Sequence, residues 1–478
     1  MFINGEFVNA VSGQTFGTFN PANEELICEV PEAGEEDVNR AVEAARNAFD
    51  HGPWRKTSGH ERSKMMHRFA DLLEQNADEL AALEALDNGK HVSIAQAADI
   101  HLVIRQFRSY AGWADKYFGD VVPIHGPYFQ YNKHEPVGVA AQIIPWNFPA
   151  LMAAWKWGPA LATGCTLITK VAEQTPLSAL RMAEISVEAG FPKGVINVLT
   201  GQGACGSQLA KHRDVDKVAF TGSTEVGYDI MRNSHPHNLK RISLELGGKS
   251  ANIIMDDADI DFAIEQAHFS LFFNAGQCCC AGSRAFVHEK IYDQFVERAA
   301  QHASKLRLGG QFTEGIEQGP QIDRTQMEKI LGYVEAGKRE GAELLTGGAR
   351  FGDKGFYVEP TVFAGVTDDM TIAKEEIFGP VMSVMKFSDM DEVIARANNS
   401  NYGLAAGVVT KNLDNALTLA HSLRAGTIYV NCFDVFTEST SFGGYKDSGI
   451  GREVGKNGMT NYLESKNVII KRPDDVLA

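Results

Sequence analysis

The predicted architecture follows from residues 137–170, which read VGVAAQIIPWNFPALMAAWKWGPALATGCTLITK. Short runs rich in β-branched residues occur here at 139–144 and 166–169, and further along at 195–199 and 217–220. Segments with the 3.6-residue spacing of a helix separate the later runs, at 178–189 and 206–212. Strands that alternate with helices favour a parallel α/β sheet.

A second alternation begins at Ala251 and continues to about residue 381, with helical spacing at 258–273, 292–306 and 325–340. Upstream, the same spacing extends over 35–49 and 59–88. We therefore expect two α/β domains that meet near Gly247-Gly248. Residues 118–134 mix aromatic and turn residues, as a protruding hairpin does, and residues 462–471 alternate like a terminal edge strand. An edge strand left unpaired at the end of a chain invites pairing with another subunit.

Length and charge restrict the function classes. With 478 residues, of which 44% are hydrophobic, the chain is long enough for two or three domains with a large core. A formal net charge of −16, without a compensating Lys/Arg-rich run, argues against nucleic acid and anionic membranes as partners. The uncharged segment 137–155 has the length of a membrane span, but its prolines and amides favour a buried crossing.

The first residues and the cysteines bear on the compartment. The N-terminal residues lack the basic region and apolar stretch of a secretory signal, so we expect a cytoplasmic protein, with a removed mitochondrial presequence as the open alternative. Seven cysteines without a regular framework fit a reducing compartment.

Three adjacent cysteines, Cys278, Cys279 and Cys280, are the main chemical signal. A thiolate is strongly nucleophilic near neutral pH, and the carboxylate of Glu245, held elsewhere, could activate the water that cleaves a thioester. A single cysteine is more often a small buried apolar residue. Direct adjacency disfavours a zinc site, whose cysteines are usually two to four residues apart, and also disfavours a bridge between neighbours.

Two glycine-rich loops could hold a phosphate. Residues 201–206 fit G-x-G-x-x-G but lack the acid expected at the end of the second strand. Residues 221–227 form a second transition from strand to helix through glycine, where helix amides could bind a phosphate. A purely structural turn remains open for both loops. An ATP-binding P-loop is excluded at residues 247–250, because Ser243 stands where that motif needs glycine.

Seven motifs follow one another along the chain. They are Pro145-Trp146-Asn147-Phe148-Pro149, Lys170 with Glu173, Phe220-Thr221-Gly222-Ser223, Leu244-Glu245-Leu246-Gly247-Gly248, Gly276-Gln277-Cys278-Cys279, Glu376-Ile377-Phe378-Gly379-Pro380 and Phe442-Gly443-Gly444. In this order they resemble the aldehyde dehydrogenase family over nearly the whole chain. Three further motifs are Phe2-Ile3-Asn4-Gly5-Glu6, Ala111-Gly112-Trp113-Ala114-Asp115-Lys116 and Tyr445-Lys446-Asp447-Ser448-Gly449. They make the similarity greatest to the tetrameric, NAD-dependent class 1/2 enzymes of that family, which oxidise acetaldehyde and retinal.

The resemblance implies an α/β fold with a Rossmann-like NAD-binding domain, an α/β catalytic domain and a small β oligomerisation arm. The implied bounds are 1–117 and 137–247 for the NAD-binding domain, 248–447 for the catalytic domain, and 118–136 and 448–478 for the bridging segments. It also implies a homotetramer that oxidises a small-molecule aldehyde with NAD and without a metal. A runner-up from another class is a catalytically silent family member, with a crystallin-like structural role or with NAD binding alone.

The resemblance also implies roles for individual residues. Cys279 would be the nucleophile, Glu245 the general base and Asn147 an oxyanion donor. The implied cofactor-binding residues are Ile143, Ile144, Trp146, Lys170, Glu173, Gly203, Phe220, Gly222, Ser223, Gly227, Leu246, Gly247, Gln326, Glu376 and Phe378. A ribose-binding carboxylate at Glu173 would disfavour a 2′-phosphate by charge, so NAD is expected rather than NADP.

A substrate tunnel follows from the same resemblance. Its implied lining residues are Leu102, Phe148, Met152, Trp155, Phe273, Phe436 and Phe442, nearly all of them bulky. We therefore expect a narrow tunnel that favours small aliphatic or simple aromatic aldehydes over retinal. Val171 and Ser441 stand where many relatives have proline, which predicts looser loops around Lys170 and Phe442.

Overall fold

The computed structural model describes residues 1–473. Its strands within this range are β1 (Phe2–Ile3), β2 (Glu6–Phe7), β3 (Thr15–Phe19), β4 (Leu26–Pro31), β5 (Tyr128–Pro136), β6 (Val139–Ile143), β7 (Thr166–Lys170), β8 (Ile196–Leu199), β9 (Lys217–Thr221), β10 (Arg241–Glu245), β11 (Ala251–Ile254), β12 (Arg284–His288), β13 (Glu343–Thr346), β14 (Thr361–Ala364), β15 (Val381–Phe387), β16 (Ala405–Val409), β17 (Thr427–Val430), β18 (Gly449–Ile450) and β19 (Leu463–Lys471).

The α-helices of the same range are α1 (Glu35–Asp50), α2 (Gly59–Gln75), α3 (Ala77–Asn88), α4 (Val92–Ile94), α5 (His101–Trp113), α6 (Pro149–Thr163), α7 (Leu177–Glu188), α8 (Gly203–Lys211), α9 (Thr224–Asn233), α10 (Ile260–Phe272), α11 (Tyr292–Ala303), α12 (Arg324–Glu340), α13 (Thr371–Lys374), α14 (Met390–Asn398), α15 (Leu413–Ser422) and α16 (Gly455–Thr460). A π-helical segment, Ala95–Ile100, joins α4 to α5, and short 3₁₀ turns occur at Pro53–Lys56, Phe273–Gly276 and Lys446–Ser448.

The first sheet has the strand order β18-β10-β9-β6-β7-β8-β1-β2, in which β10, β9, β6, β7 and β8 run parallel. The chain builds outward from β6 through β7 to β8, then returns to the other side of β6 with β9 and β10. Strand order therefore reverses between β6 and β9. In open α/β sheets, this reversal leaves a crevice at the carboxyl ends of the strands, where ligands bind.

The second sheet has the order β13-β14-β15-β12-β11-β16-β17 and is parallel except for β13. Residues 246–250 lead from the end of β10 directly into β11, so the junction of the two sheets begins one residue after Glu245. The predicted α/β class with two parallel sheets is confirmed. Which residues belong to each functional domain stays a prediction.

Of two predictions about the smaller β-elements, one needs correction. Residues 462–471 do not leave an unpaired strand, because β19 pairs antiparallel with β5 from Leu463↔Pro136 to Lys471↔Tyr128. Within 118–134 the predicted hairpin is present but short: a bridge joins Val121 and Tyr131, and the Asn132 N–H donates to the Asp120 carbonyl at 2.8 Å. The longer pairing of β5 is with β19. The predicted bridging segment 448–478 also contributes β18 to the first sheet, and its residues 474–478 lie outside the described range.

Helices also differ from the sequence pattern in two places. The predicted helix over 59–88 is two helices that meet at Asn76, whose side-chain amide donates 2.8 Å to the Leu72 carbonyl. Asparagine side chains compete for backbone groups in this way and favour helix ends. Helix α6 was not predicted, because a segment hydrophobic on every side shows no helical periodicity; all of its residues are buried. No helix within residues 1–473 is long and apolar enough to span a membrane.

Candidate active site

The loop that carries Cys279 lies between α10 and β12 and is held by an unusual turn. Asn274, Ala275 and Gly276 all have positive φ angles, of 51°, 55° and 74°. A Cβ on Gly276 would lie 2.2 Å from the Gly379 carbonyl oxygen, so only glycine fits this approach. The turn therefore fixes the backbone directly before the half-buried Cys279.

The loop after β6 positions Asn147 against this turn. Its backbone carbonyl accepts hydrogen bonds from Lys90 Nζ and Asn274 Nδ2, both at 3.0 Å. Its side-chain Nδ2 donates to the Gln277 carbonyl oxygen at 3.0 Å, two residues before Cys279. One N–H of the amide is used in this contact and the other remains for a ligand.

Glu245 is the last residue of β10 and is buried. Its Oε2 has no hydrogen-bond partner among the described residues. Burial, followed by the nearby carboxylate of Glu453, raises the pKa of Glu245 well above its ordinary value, while Lys156 opposes the shift. A carboxyl group with a raised pKa and a free oxygen suits proton transfer.

Sequence reasoning missed the buried pair Lys156 and Glu453. Lys156 Nζ lies 2.5 Å from Glu453 Oε1 and 2.6 Å from Thr221 Oγ1. A signal was available, since Lys156 is the only charged residue between Glu135 and Lys170. A charge in such an apolar stretch needs a buried partner, but the sequence does not indicate Glu453 as that partner.

The thiols flanking Cys279 affect its ionisation. The neighbouring thiols of Cys278 and Cys280 lower the pKa of the Cys279 thiol to about 6, against the opposing effect of burial. A thiol with this pKa is largely thiolate at neutral pH, which is the nucleophilic form. Cys279 therefore differs from its neighbours, because the pKa values of the Cys278 and Cys280 thiols are both raised.

A cavity of about 550 Å³ brings the three predicted catalytic residues together. Asn147, Glu245 and Cys279 all line it. All seven predicted tunnel residues line it as well, namely Leu102, Phe148, Met152, Trp155, Phe273, Phe436 and Phe442. Of the predicted cofactor residues, the lining includes Trp146, Gly222, Ser223, Leu246, Gly247, Gln326, Glu376 and Phe378.

The remaining predicted cofactor residues do not line the cavity, and most lie along the carboxyl edge of the first sheet. Ile143 is in register with Lys170 on one side and with Phe220 on the other, at the ends of β7 and β9. Lys170 Nζ pairs with Glu173 Oε2 at 3.0 Å. The others in this group are Ile144 directly after β6, Gly203 at the start of α8 and Gly227 in the first turns of α9.

The carboxylate of Glu376 leaves no room for a side chain at position 247. Its Oε1 accepts a hydrogen bond from the Gly248 N–H at 3.0 Å. A Cβ on Gly247 would lie 2.2 Å from Glu376 Oε2, so any larger residue there would displace the carboxylate. Burial raises the pKa of Glu376 to about 7.

The two positions expected to carry proline make hydrogen bonds. The Val171 N–H, which proline lacks, donates to the Leu199 carbonyl at 3.1 Å. The Ser441 Oγ accepts from Asn457 Nδ2 at 2.9 Å. Val171 and Ser441 thus each make a hydrogen bond that a proline at the same position could not make. Whether the loops around Lys170 and Phe442 are looser than in relatives stays a prediction.

Comparisons with known proteins agree with these motifs. The model of the aldehyde dehydrogenase family matches residues 7–468. The chain is 57% identical over 475 residues to the mitochondrial aldehyde dehydrogenase of Homo sapiens, covering 99% of this chain and 92% of that protein. It is 56% identical over 476 residues to the mitochondrial benzaldehyde dehydrogenase of Antirrhinum majus, covering 99% and 89%.

Solved structures show the same fold. The NAD⁺ complex of a Bacillus cereus aldehyde dehydrogenase superposes with a TM-score of 0.97 at 51% identity, covering 98% of this chain and 96% of that one. These matches extend over nearly the full chain, well beyond the short motifs that suggested the relationship. The chain belongs to the aldehyde dehydrogenase family and is an oxidoreductase.

Proposed function

We propose that this chain oxidises an aldehyde to a carboxylic acid with NAD, through a covalent intermediate on Cys279. The observation that carries the proposal is one cavity that holds a thiol of lowered pKa, a buried carboxyl group with an unpartnered oxygen, and an amide donor. A purely structural role requires none of these three groups, and the silent alternative has no observation in its favour.

The residues present suit NAD. The crevice between β6 and β9 lies where nucleotides bind in open α/β sheets, and Ser223 begins α9 beside it. Glu376 and Phe378 would hold the nicotinamide end beside Cys279, and Lys170 with Glu173 the adenosine ribose. Bound NAD supplies the acceptor for a hydride. Glu173 is 42% exposed on its side chain, and its negative charge would repel the 2′-phosphate of NADP.

The acylation half of the reaction depends on Cys279 and Asn147. The thiolate attacks the aldehyde carbon and forms a tetrahedral thiohemiacetal with a negatively charged oxygen. The free N–H of Asn147 and the backbone N–H of Cys279 stabilise that oxygen, and one such donor is worth about 3 kcal/mol. Loss of hydride from this carbon leaves a thioester on Cys279.

The deacylation half depends on Glu245. In its ionised form the carboxylate takes a proton from water, and the resulting hydroxide attacks the thioester carbonyl. The thiolate of Cys279 leaves, the acid is released, and the proton on Glu245 passes to solvent. Because Glu245 is present to activate water, hydrolysis is favoured over transfer of the acyl group to coenzyme A.

Aromatic side chains support a narrow substrate tunnel. Trp155 and Phe442 have ring centroids 5.1 Å apart, and Phe148 stacks on Phe273 at 6.1 Å. Bulky, flat rings along the lining favour small aliphatic or simple aromatic aldehydes over retinal. The Antirrhinum majus relative is named for benzaldehyde, which agrees with this range.

The proposal extends to the oligomeric state of the protein and to its cellular location. A homotetramer is expected from the resemblance, and the two-stranded sheet of β5 and β19 offers an edge on which subunits could pair. The animal and plant relatives compared above are named as mitochondrial, so they favour a mitochondrial location over the cytoplasmic one predicted from the first residues.

The experiment is NADH formation by purified protein, followed by absorbance, with aldehydes from acetaldehyde through benzaldehyde to retinal. NADP in place of NAD and added coenzyme A serve as controls. We expect NAD-dependent turnover with a higher kcat/KM for acetaldehyde and benzaldehyde than for retinal. A folded protein that binds NAD without turnover would refute the enzymatic proposal, and a clear preference for retinal would refute the narrow tunnel.

A further inference from the structure

The two cysteines on either side of the nucleophile point toward each other. Cys278 Sγ and Cys280 Sγ are 3.3 Å apart, and both residues are buried and line the active-site cavity. In the sequence, adjacency of the three cysteines disfavours a metal site. The structure removes that objection, because the two sulfurs that meet belong to Cys278 and Cys280, which are two positions apart in the sequence.

A third possible ligand comes from a distant part of the chain. Cys280 Sγ lies 3.1 Å from Asp434 Oδ1, on the loop after β17. The other oxygen, Asp434 Oδ2, is buried without a hydrogen-bond partner among the described residues. The three ligand atoms all lie within 4.8 Å of one another and face the same cavity. An unpartnered buried carboxylate oxygen next to two thiols is costly unless something binds it.

We propose that Cys278, Cys280 and Asp434 form a binding site for a thiophilic divalent cation, Zn²⁺ or Cd²⁺, whose occupation blocks Cys279. Each thiol releases its proton to solvent as its sulfur binds, so that two thiolates and one carboxylate surround the cation. Sulfur ligands select such cations over Mg²⁺ or Ca²⁺, which take oxygen.

The geometry needs only a small adjustment. Two sulfurs on a tetrahedral zinc lie about 3.8 Å apart, given Zn–S bonds of about 2.3 Å. Their separation of 3.3 Å would therefore increase by roughly half an ångström. The fourth position would take water or the Cys279 sulfur. The reaction proposed above uses no metal, so this site would be inhibitory.

Cd²⁺ binding to the reduced full-length protein tests the proposal, by titration calorimetry and by the ultraviolet thiolate-to-metal charge-transfer absorption. We expect one tight site per chain that persists in Cys279→Ala. In Cys280→Ser and Asp434→Asn, the affinity should fall by at least about tenfold. Cys432→Ala is the matched control, since Cys432 is half-buried but does not line the cavity, and it should bind as the unaltered protein does.

Two results would overturn the site. One is loss of tight binding in Cys279→Ala with retention in Cys280→Ser, which would make the nucleophile alone the ligand. The other is unchanged binding in both Cys280→Ser and Asp434→Asn, which would place the metal elsewhere. Near-ultraviolet circular dichroism shows whether each variant has folded. If Cys280→Ser fails to fold, the Cd²⁺ affinity of Asp434→Asn decides between these outcomes, because this variant only replaces one carboxylate oxygen by an amide nitrogen. Binding is measured without turnover, so its failure is distinct from failure of the proposed dehydrogenase activity.

Discussion

The side-chain amide of Asn147 donates a 3.0 Å hydrogen bond to the carbonyl oxygen of Gln277. This contact joins the loop after β6, in the first sheet, to the loop that carries Cys279, before the second sheet's β12. The amide that would stabilise the oxyanion is thus fixed relative to the thiol that would generate it. Such positioning is what makes a donor effective in a transition state.

Replacing Cys279, the proposed nucleophile, should stop the reaction without unfolding the protein. In Cys279→Ser, we expect turnover to fall by at least about a thousandfold, because a serine hydroxyl is a far weaker nucleophile in this setting. NAD binding, followed by calorimetry, should persist. Cys432→Ser, at a half-buried cysteine outside the cavity, should keep full activity. Substantial residual turnover in Cys279→Ser would remove this residue from its assigned role.

Glu245→Gln should separate the two halves of the reaction. Glutamine cannot take a proton from water, so deacylation should slow by about a hundredfold or more. A stopped-flow burst of NADH, equal to the number of active sites, should remain. If the burst disappears together with steady-state turnover, Glu245 acts before the thioester forms.

The pH dependence of deacylation should shift when the charge of Glu453 is removed. Burial and the Glu453 carboxylate raise the pKa of Glu245, and the ionised form would be the active base in the proposed reaction. The rate should therefore rise with pH through this raised pKa. Glu453→Gln removes a negative neighbour and keeps an acceptor for Lys156, so the midpoint should move to lower pH. Glu464→Gln, at an exposed acid, is the control; a midpoint that stays or rises in Glu453→Gln would contradict the account.

Alkylation of Cys279 by iodoacetamide should reveal its lowered pKa. The rate should rise with pH around a midpoint near 6, since the thiolate reacts and the pKa is about 6. The largest cause is the neighbouring Cys278 thiol, so Cys278→Ala should move the midpoint upward, toward the ordinary value for a thiol. An unchanged midpoint would show that another group stabilises the thiolate.

Cofactor choice should respond to Glu173. Glu173→Gln removes the charge that repels a 2′-phosphate, so the ratio of kcat/KM with NADP to that with NAD should rise about fivefold, equivalent to roughly 1 kcal/mol. Glu188→Gln, at an exposed acid at the end of α7, should leave the ratio unchanged. A ratio that is the same in both variants would show that Glu173 does not face the ribose.

Parallel strands and most helices could be predicted because each depends on the spacing of nearby side chains. Boundaries of β6, β7 and β9 fall within one or two residues of the predicted runs. The predictions failed where the local pattern was uninformative. Helix α6 is apolar on all sides, and the break at Asn76 depends on one side chain that competes for backbone groups.

Short motifs, read through the family resemblance, were also sufficient to name Cys279, Glu245 and Asn147 as candidate catalytic residues. What these motifs could not supply is which distant groups surround them. Glu453 lies beside Lys156 although 297 positions separate them, and Asp434 lies beside Cys280 across 154. These contacts exist only once distant parts of the chain have packed together, because burial and close charges, rather than local propensity, determine which side chains meet and how they ionise.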